Sequence, residues 1–144
     1  MHDATIRRAT SDEEILACHP VMAELRPHLG AADFLAAVRR MEAQSYRLVF
    51  LESAGTVHAV AGYRVQEMLR TGRMLEVDDL VTSGASRSGG RGRQLLRWLL
   101  DEARAEGCSS VELDSAVHRA DAHRFYFRER MHVLAFHFSV GVSD

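Results

Sequence analysis

The chain has 144 residues, 47% of them hydrophobic and 26% charged, and carries a formal net charge of −2. That is enough for one globular domain with a sizeable core, without the basic excess that draws a protein to nucleic acid or an anionic membrane. No apolar run approaches a membrane span, the N-terminal residues lack the apolar stretch of a signal peptide, and Cys18 and Cys108 follow no ligand spacing. The expected setting is therefore cytoplasmic, with reduced thiols and no metal, membrane or nucleic acid as partner.

In chain order, Ala4 to Arg8 reads as a short strand. Ser11-x-x-Glu14 is a capping box that opens a helix with Ile15, Leu16, Cys18, Val21, Met22 and Leu25 as its apolar residues. Pro20 inside that pattern predicts a kink or a break, and Pro27 and Gly30 end the segment. A second helix is expected over residues 31–44, with Phe34, Leu35, Val38 and Met41 on one face. The period then changes to two. Residues 46–51, 57–68 and 74–82 read as three strands joined by short turns, which predicts an antiparallel meander.

A long helix over residues 90–106 follows, with Leu95, Leu96, Leu99, Leu100 and Ala103 as its buried stripe and Gly107 just past its end. Residues 109–113 are a strand. The crossover through the helix makes it parallel to the strand before. A shorter helix over 120–130 and a final strand over 132–142, alternating around Val133, Ala135, Phe136 and Phe138, complete the chain. The fold class expected is α/β, one domain over residues 1–144 with a mixed sheet.

The stretch Arg87-Ser88-Gly89-Gly90-Arg91-Gly92-Arg93 lies between a strand and a helix. Glycines there let the main chain approach an anion, and the helix N-terminus favours negative charge, so the loop reads as a diphosphate grip. A P-loop requires a lysine, and all 18 basic residues of this chain are arginine. A dinucleotide fingerprint requires a third glycine where Leu95 stands, although Glu112 lies near the distance of its acid, so an NAD(P)-binding reading stays as a lesser alternative.

Arg87-x-x-Gly90-x-Gly92 followed by Leu95-Leu96 resembles the acetyl-coenzyme A signature of the GNAT N-acetyltransferase superfamily. Ala122-His123-Arg124-Phe125-Tyr126 and Asp78-Asp79-Leu80-Val81-Thr82 resemble two further motifs of that family in the same register, and the element order is similar over nearly the whole chain. There are departures: Arg119 stands where the family often has asparagine, Thr82 where it often has valine, and Arg130-Met131 where Gly-Phe usually closes the last helix.

The resemblance implies a centrally splayed sheet flanked by helices on both faces, and acetyl transfer from acetyl-CoA to a primary amine of a small molecule or peptide. Main-chain N–H groups of Ser88, Gly89, Gly90, Arg91, Gly92 and Arg93, with the Arg87, Arg91 and Arg93 side chains, would hold the diphosphate. Main-chain groups of Leu80, Val81 and Thr82 would take the pantetheine arm and polarise the thioester. Tyr126 matches the general-acid position, and Asp78 or, second, Asp79 the base that an ammonium group needs at neutral pH.

Alternation puts Asp79 on the opposite face from Asp78 unless a bulge intervenes. The two acids could instead pair with Arg64 or Arg73 on neighbouring strands. A domain that binds acyl-CoA without turnover, as a sensor, is the alternative from another functional class. The last strand and the meander edge leave room for a homodimer.

Overall fold

The computed structural model describes residues 3–87 and 89–143. The chain divides into two compact units, Met1–Leu113 and Asp114–Asp144. In the first unit, β1 (Thr5–Arg8), α1 (Asp12–Leu25), α2 (Ala31–Met41), β2 (Tyr46–Ser53), β3 (Thr56–Met68), β4 (Gly72–Thr82), α3 (Arg91–Ala105) and β5 (Val111–Leu113) follow in order. Short 3-10 turns cover Glu42–Gln44, where the sequence predicts the end of α2, and Gly84–Ser86. The sheet order is β1-β2-β3-β4-β5; the first three pairings are antiparallel and β4–β5 is parallel, as the crossover through α3 requires.

Period-two alternation assigns the two sheet faces. Tyr46, Leu48 and Phe50 of β2 with Val60 and Val81 pack against Ile15, Cys18, Val21 and Met22 of α1 and Phe34 and Val38 of α2. Val49, Leu51, Ala59, Ala61, Tyr63, Leu75 and Val77 turn the other way, onto Leu95, Leu99 and Ala103 of α3. A mixed sheet with helices on both faces is thus the observed fold.

One local expectation is narrowed and another corrected. First, α1 runs without a break through Pro20. Ile15 and Cys18 before the proline and Val21 and Met22 after it are all buried in one cluster, so packing outweighs the hydrogen bond that the proline cannot make. The capping box is present: Ser11 Oγ accepts from Glu14 N, and Glu14 Oε1 accepts from Ser11 N, each at 3.1 Å. The main-chain donors Ser11 N and Thr10 N, with Arg7, hold the Glu14 carboxyl down at about 2.

Second, no strand forms over residues 132–142 among the described residues. Alternation marks a face, but a strand exists only where its main-chain groups find a partner, and the sheet ends at β5.

Among its described residues, the second unit contains one regular element, α4 (Ala120–Arg128). Its end is a Schellman motif: Met131 N donates to Tyr126 O at 3.0 Å and Arg130 N to Phe127 O at 3.1 Å. Arg130 adopts a φ of 67° there. That left-handed conformation costs a residue with a Cβ about 1 kcal/mol relative to glycine. Arg130→Gly is therefore expected to stabilise the unit by about that much, read as a rise in the denaturation midpoint reported by α4. No change or a fall would contradict the αL assignment.

Candidate active site

The site is built on a fault in the sheet. Opposite Gly62 stands Asp79, but opposite Tyr63 stands Val77, so Asp78 is an extra residue bulged out of β4. The bulge brings Asp78 and Asp79 together on the face covered by α1 and α2, against strict alternation. Arg26, at the C-cap of α1, reaches both: its Nε donates to Asp79 Oδ1 at 3.0 Å and its Nη2 to the Asp78 carbonyl at 3.2 Å. Tyr46 Oη donates to Asp79 Oδ2 at 2.8 Å, and Arg64 Nε to Asp78 Oδ2 at 2.9 Å. The Arg64 guanidinium also lies 5.5 Å from the centroid of the Tyr46 ring.

The cleft is therefore not acidic on balance, since two carboxylates face two guanidiniums. Arg64 is a partner of Asp78, as the sequence allows. Arg73 is not; it turns to Glu106, the C-cap of α3, at 2.8 Å.

The two acids differ in what they have left to offer. Asp79 accepts at both carboxylate oxygens. Asp78 accepts from Arg64 at one. Burial raises the Asp78 carboxyl above its ordinary range, with the Arg64 bond and charge working against it. The phenol of Tyr46 is pushed well up by burial and by the Asp79 charge, so it remains a donor.

Gly62 makes this arrangement fit. A Cβ there would run into the Tyr46 hydroxyl and ring carbon and stand 2.7 Å from Asp79 Oδ2. Arg26, Tyr46 and Gly62 are absent from the site that the motifs define. Nothing in local spacing connects residues 26, 46, 62 and 79; a glycine inside an otherwise apolar strand was the one signal available.

Beyond the bulge, β4 outruns its neighbour. Pairing with β5 covers only Leu75–Val77, while β4 continues to Thr82. Leu80, Val81 and Thr82 thus lie where, among the described residues, no strand pairs on the β5 side. Because β5 itself ends at Leu113, the main-chain groups on that side of β4 have no strand partner there.

The chain then turns through Gly84–Ser86 toward α3. Ser86 is 6% exposed and lies 2.6 Å from His58 Nδ1. Gly84 N donates to Glu24 Oε1 at 2.9 Å, and Arg87 approaches the same oxygen at 3.7 Å. Gly90 is the N-cap of α3 at a φ of 73°. Gly90 has no side chain to cap the helix, so the first-turn N–H groups at Arg91 and Gly92 are suited to an anion. Gly89 and the Arg87 side chain are exposed on the approach; Ser88 lies outside the described residues. The end of β4 without a strand partner, the positive-φ glycine and the helix start are chemically suited to a thioester arm and a diphosphate.

Tyr126 lies on α4, with its ring centroid 5.6 Å from that of Phe125. Burial raises its phenol above the ordinary value, opposed by the Arg119 guanidinium, so the hydroxyl carries its proton at neutral pH. Among the described residues there is no group of three or more histidine, cysteine or acidic side chains placed to hold a metal ion, and no helix is long and apolar enough to cross a membrane.

Comparison with known proteins yields a consistent set of likenesses. Residues 12–132 match the model of the acetyltransferase (GNAT) family. An uncharacterized N-acetyltransferase of Bacillus subtilis, YhdJ, is 37% identical over 125 residues, covering 84% of this chain and 86% of its own. An aminoalkylphosphonate N-acetyltransferase of Salmonella typhimurium is 44% identical over 54 residues, 38% of this chain and 35% of its own. Among solved structures, the aminoglycoside N-acetyltransferase AAC(6')-Iy in complex with CoA superposes with a TM-score of 0.85 over 99% of this chain and 97% of that one, at 11% identity.

Proposed function

The chain belongs to the acetyltransferase (GNAT) family and is an acetyl-CoA-dependent acyltransferase. From that premise we propose that it transfers acetyl directly, in a ternary complex, to a primary amine of a small molecule or peptide. The observation that carries this reading is the bulged Asp78, which stands at the start of the β4 stretch that outruns β5 and leads into the uncapped start of α3.

In this proposal Asp78 takes the proton of the bound ammonium. The freed nitrogen attacks the thioester carbonyl and the N–C bond forms; as the tetrahedral adduct collapses the C–S bond breaks, Tyr126 gives its proton to the departing thiolate, and the second proton shed by the nitrogen returns the Tyr126 phenolate to the phenol. Asp78 is preferred to Asp79 because Asp79 is held at both oxygens, by Tyr46 and Arg26. Main-chain groups at Leu80, Val81 and Thr82 are proposed to hold the pantetheine arm and polarise the carbonyl. Those of residues 88–93, with Arg87, Arg91 and Arg93, are proposed to hold the diphosphate. The charge-balanced cluster of Arg26, Arg64, Asp78 and Asp79 suits an amine that also carries an acidic group. The Salmonella relative named for aminoalkylphosphonates makes those compounds the first acceptors to try.

The test is thiol release from acetyl-CoA against a panel of amines that includes aminoalkylphosphonates, aminosugar phosphates and peptide N-termini. At least one amine is expected to accelerate release, and Tyr126→Phe to lower kcat by about 10²-fold with little change in KM for acetyl-CoA. Binding of acetyl-CoA, seen as a raised melting temperature, with no amine-dependent release and no effect of Tyr126→Phe would replace the enzyme by the sensor alternative.

A further inference from the structure

We infer that His58 is a positioning residue for cofactor binding: through Ser86 it fixes the turn from which the diphosphate loop departs. The inference rests on the proposed assignment of residues 88–93, with Arg87, to the cofactor diphosphate. His58 lies on β3, 28 residues before Ser86.

A second fault in the sheet aims it. Leu51 of β2 pairs with Ala59, but Glu52 pairs with Val57, so His58 is an extra residue bulged out of β3. Packing agrees. Residues two apart on a strand share a face, yet Val57 packs with the α1–α2 cluster and Ala59 with the α3 cluster. Bulges re-aim side chains, and this one lies beside the end of β4, where Ala59 pairs with Thr82.

His58 holds the turn at both ends. Its carbonyl accepts from Ser83 N at 2.8 Å. Its Nδ1 lies 2.6 Å from Ser86 Oγ. A hydroxyl can donate or accept, so the pair forms with either ring tautomer. Ser86 is buried, and a buried hydroxyl stripped of its partner costs more than the bond contributes. The main chain of Ser86 passes the constraint on. Ser86 N donates to Ser83 O at 2.8 Å, and Ser86 O accepts from Gly89 N at 3.2 Å. Gly90, the N-cap of α3, comes next. A short chain of hydrogen bonds thus runs from His58 to the start of α3, and a loop ordered in advance binds an anion at a lower entropic cost.

The test reads coenzyme A binding by titration calorimetry, beside the melting temperature of each variant. His58→Leu and Ser86→Ala should each raise the Kd for coenzyme A about 10-fold. The double variant should be no weaker than either alone. His58→Asn, whose amide atoms stand one bond from Cγ as Nδ1 does, should stay within about twofold of the wild type. The main-chain bond from Ser83 to His58 and that from Gly84 N to Glu24 do not involve the replaced atoms, so the turn stays attached. Ser86→Ala removes a single oxygen and decides the matter if His58→Leu folds poorly.

Gly92→Asp tests the diphosphate assignment separately. A carboxylate in the first turn suits the helix but repels a phosphate, so coenzyme A should bind about 10-fold more weakly. Weakened binding in Gly92→Asp, with His58→Leu and Ser86→Ala unchanged, overturns the role of His58 alone. Unchanged binding in Gly92→Asp overturns the diphosphate assignment and this inference with it. Equal losses in His58→Leu and His58→Asn, or lower melting temperatures at an unaltered Kd, overturn the inference and leave His58 a structural residue.

Discussion

Replacing Asp78 by asparagine should lower kcat/KM for acetyl transfer by about 10²- to 10³-fold while the protein stays folded. Asparagine keeps the shape and can still accept the Arg64 Nε hydrogen bond, so the bulge and its neighbours persist. What it lacks is a basic oxygen for the ammonium proton.

The pH dependence gives a second reading of the same variant. The folded-state pKa of Asp78 is raised by burial. In the wild type, activity should therefore climb as the pH rises through that raised pKa, below the titration of the amine itself. The variant should lose this limb. The consequence for stability has the opposite sign. A carboxyl with a raised folded pKa binds its proton more tightly folded than unfolded, so its contribution is fully present below the unfolded pKa and is lost as the pH rises through the folded one. Asp78→Asn should thus be at least as stable as the wild type at neutral pH. Such a trade of stability against activity is expected of a catalytic group and not of a structural ion pair. Rate profiles and urea denaturation across pH 4–8 decide it. Unchanged kcat/KM would move the base elsewhere; a loss of activity that merely tracks unfolding would make Asp78 structural.

Gly62→Ala should be among the most damaging single methyl additions in the sheet. The new Cβ meets the Tyr46 hydroxyl and ring and crowds Asp79 Oδ2. Tyr46 is 4% exposed and packed in the α1–α2 core, so its ring has nowhere to retreat. Overpacking of this kind costs about 1–3 kcal/mol. Breaking the Tyr46–Asp79 hydrogen bond in a part-buried place adds about 1–3 kcal/mol more. A total of about 3 kcal/mol corresponds to a fall in Tm of about 10 °C for a chain of this length.

A double-mutant cycle identifies the cause. Tyr46→Leu alone should destabilise, but Gly62→Ala added to it should cost far less than in the wild type. Strict additivity of the two would show that Tyr46 is not what the methyl group strikes. Activity should fall in Gly62→Ala as well, because Asp79 and the bulged Asp78 are held from the same side.

Much of this protein is determined locally, and that part is legible in the sequence. The order of elements from β1 to α4 follows from apolar periodicity, caps and turn residues, which act within a few residues of one another. The proposed grip on the cofactor is equally local, since Arg87, Gly89, Gly90 and the start of α3 are close neighbours in sequence, and the positive φ of Gly90 needs a glycine wherever the chain goes next. Membership of the family rests on motifs of this contiguous kind.

Other features exist only after the chain has folded. The bulge at Asp78 depends on the register against β3, and register is a property of two strands. The charge balance of the cleft depends on Arg26 and Arg64 arriving from other elements, 53 and 14 residues away in sequence from the acids they bind. Pro20 stays helical because buried residues on both sides of it share one core. The last segment has the alternation of a strand and is not one, because pairing needs a partner and the sheet ends at β5. Sequence determined what each segment can do by itself. Tertiary structure decided which groups share a low-dielectric space, and hence how the two carboxylates are engaged, which is the ground for proposing Asp78 and not Asp79 as the base.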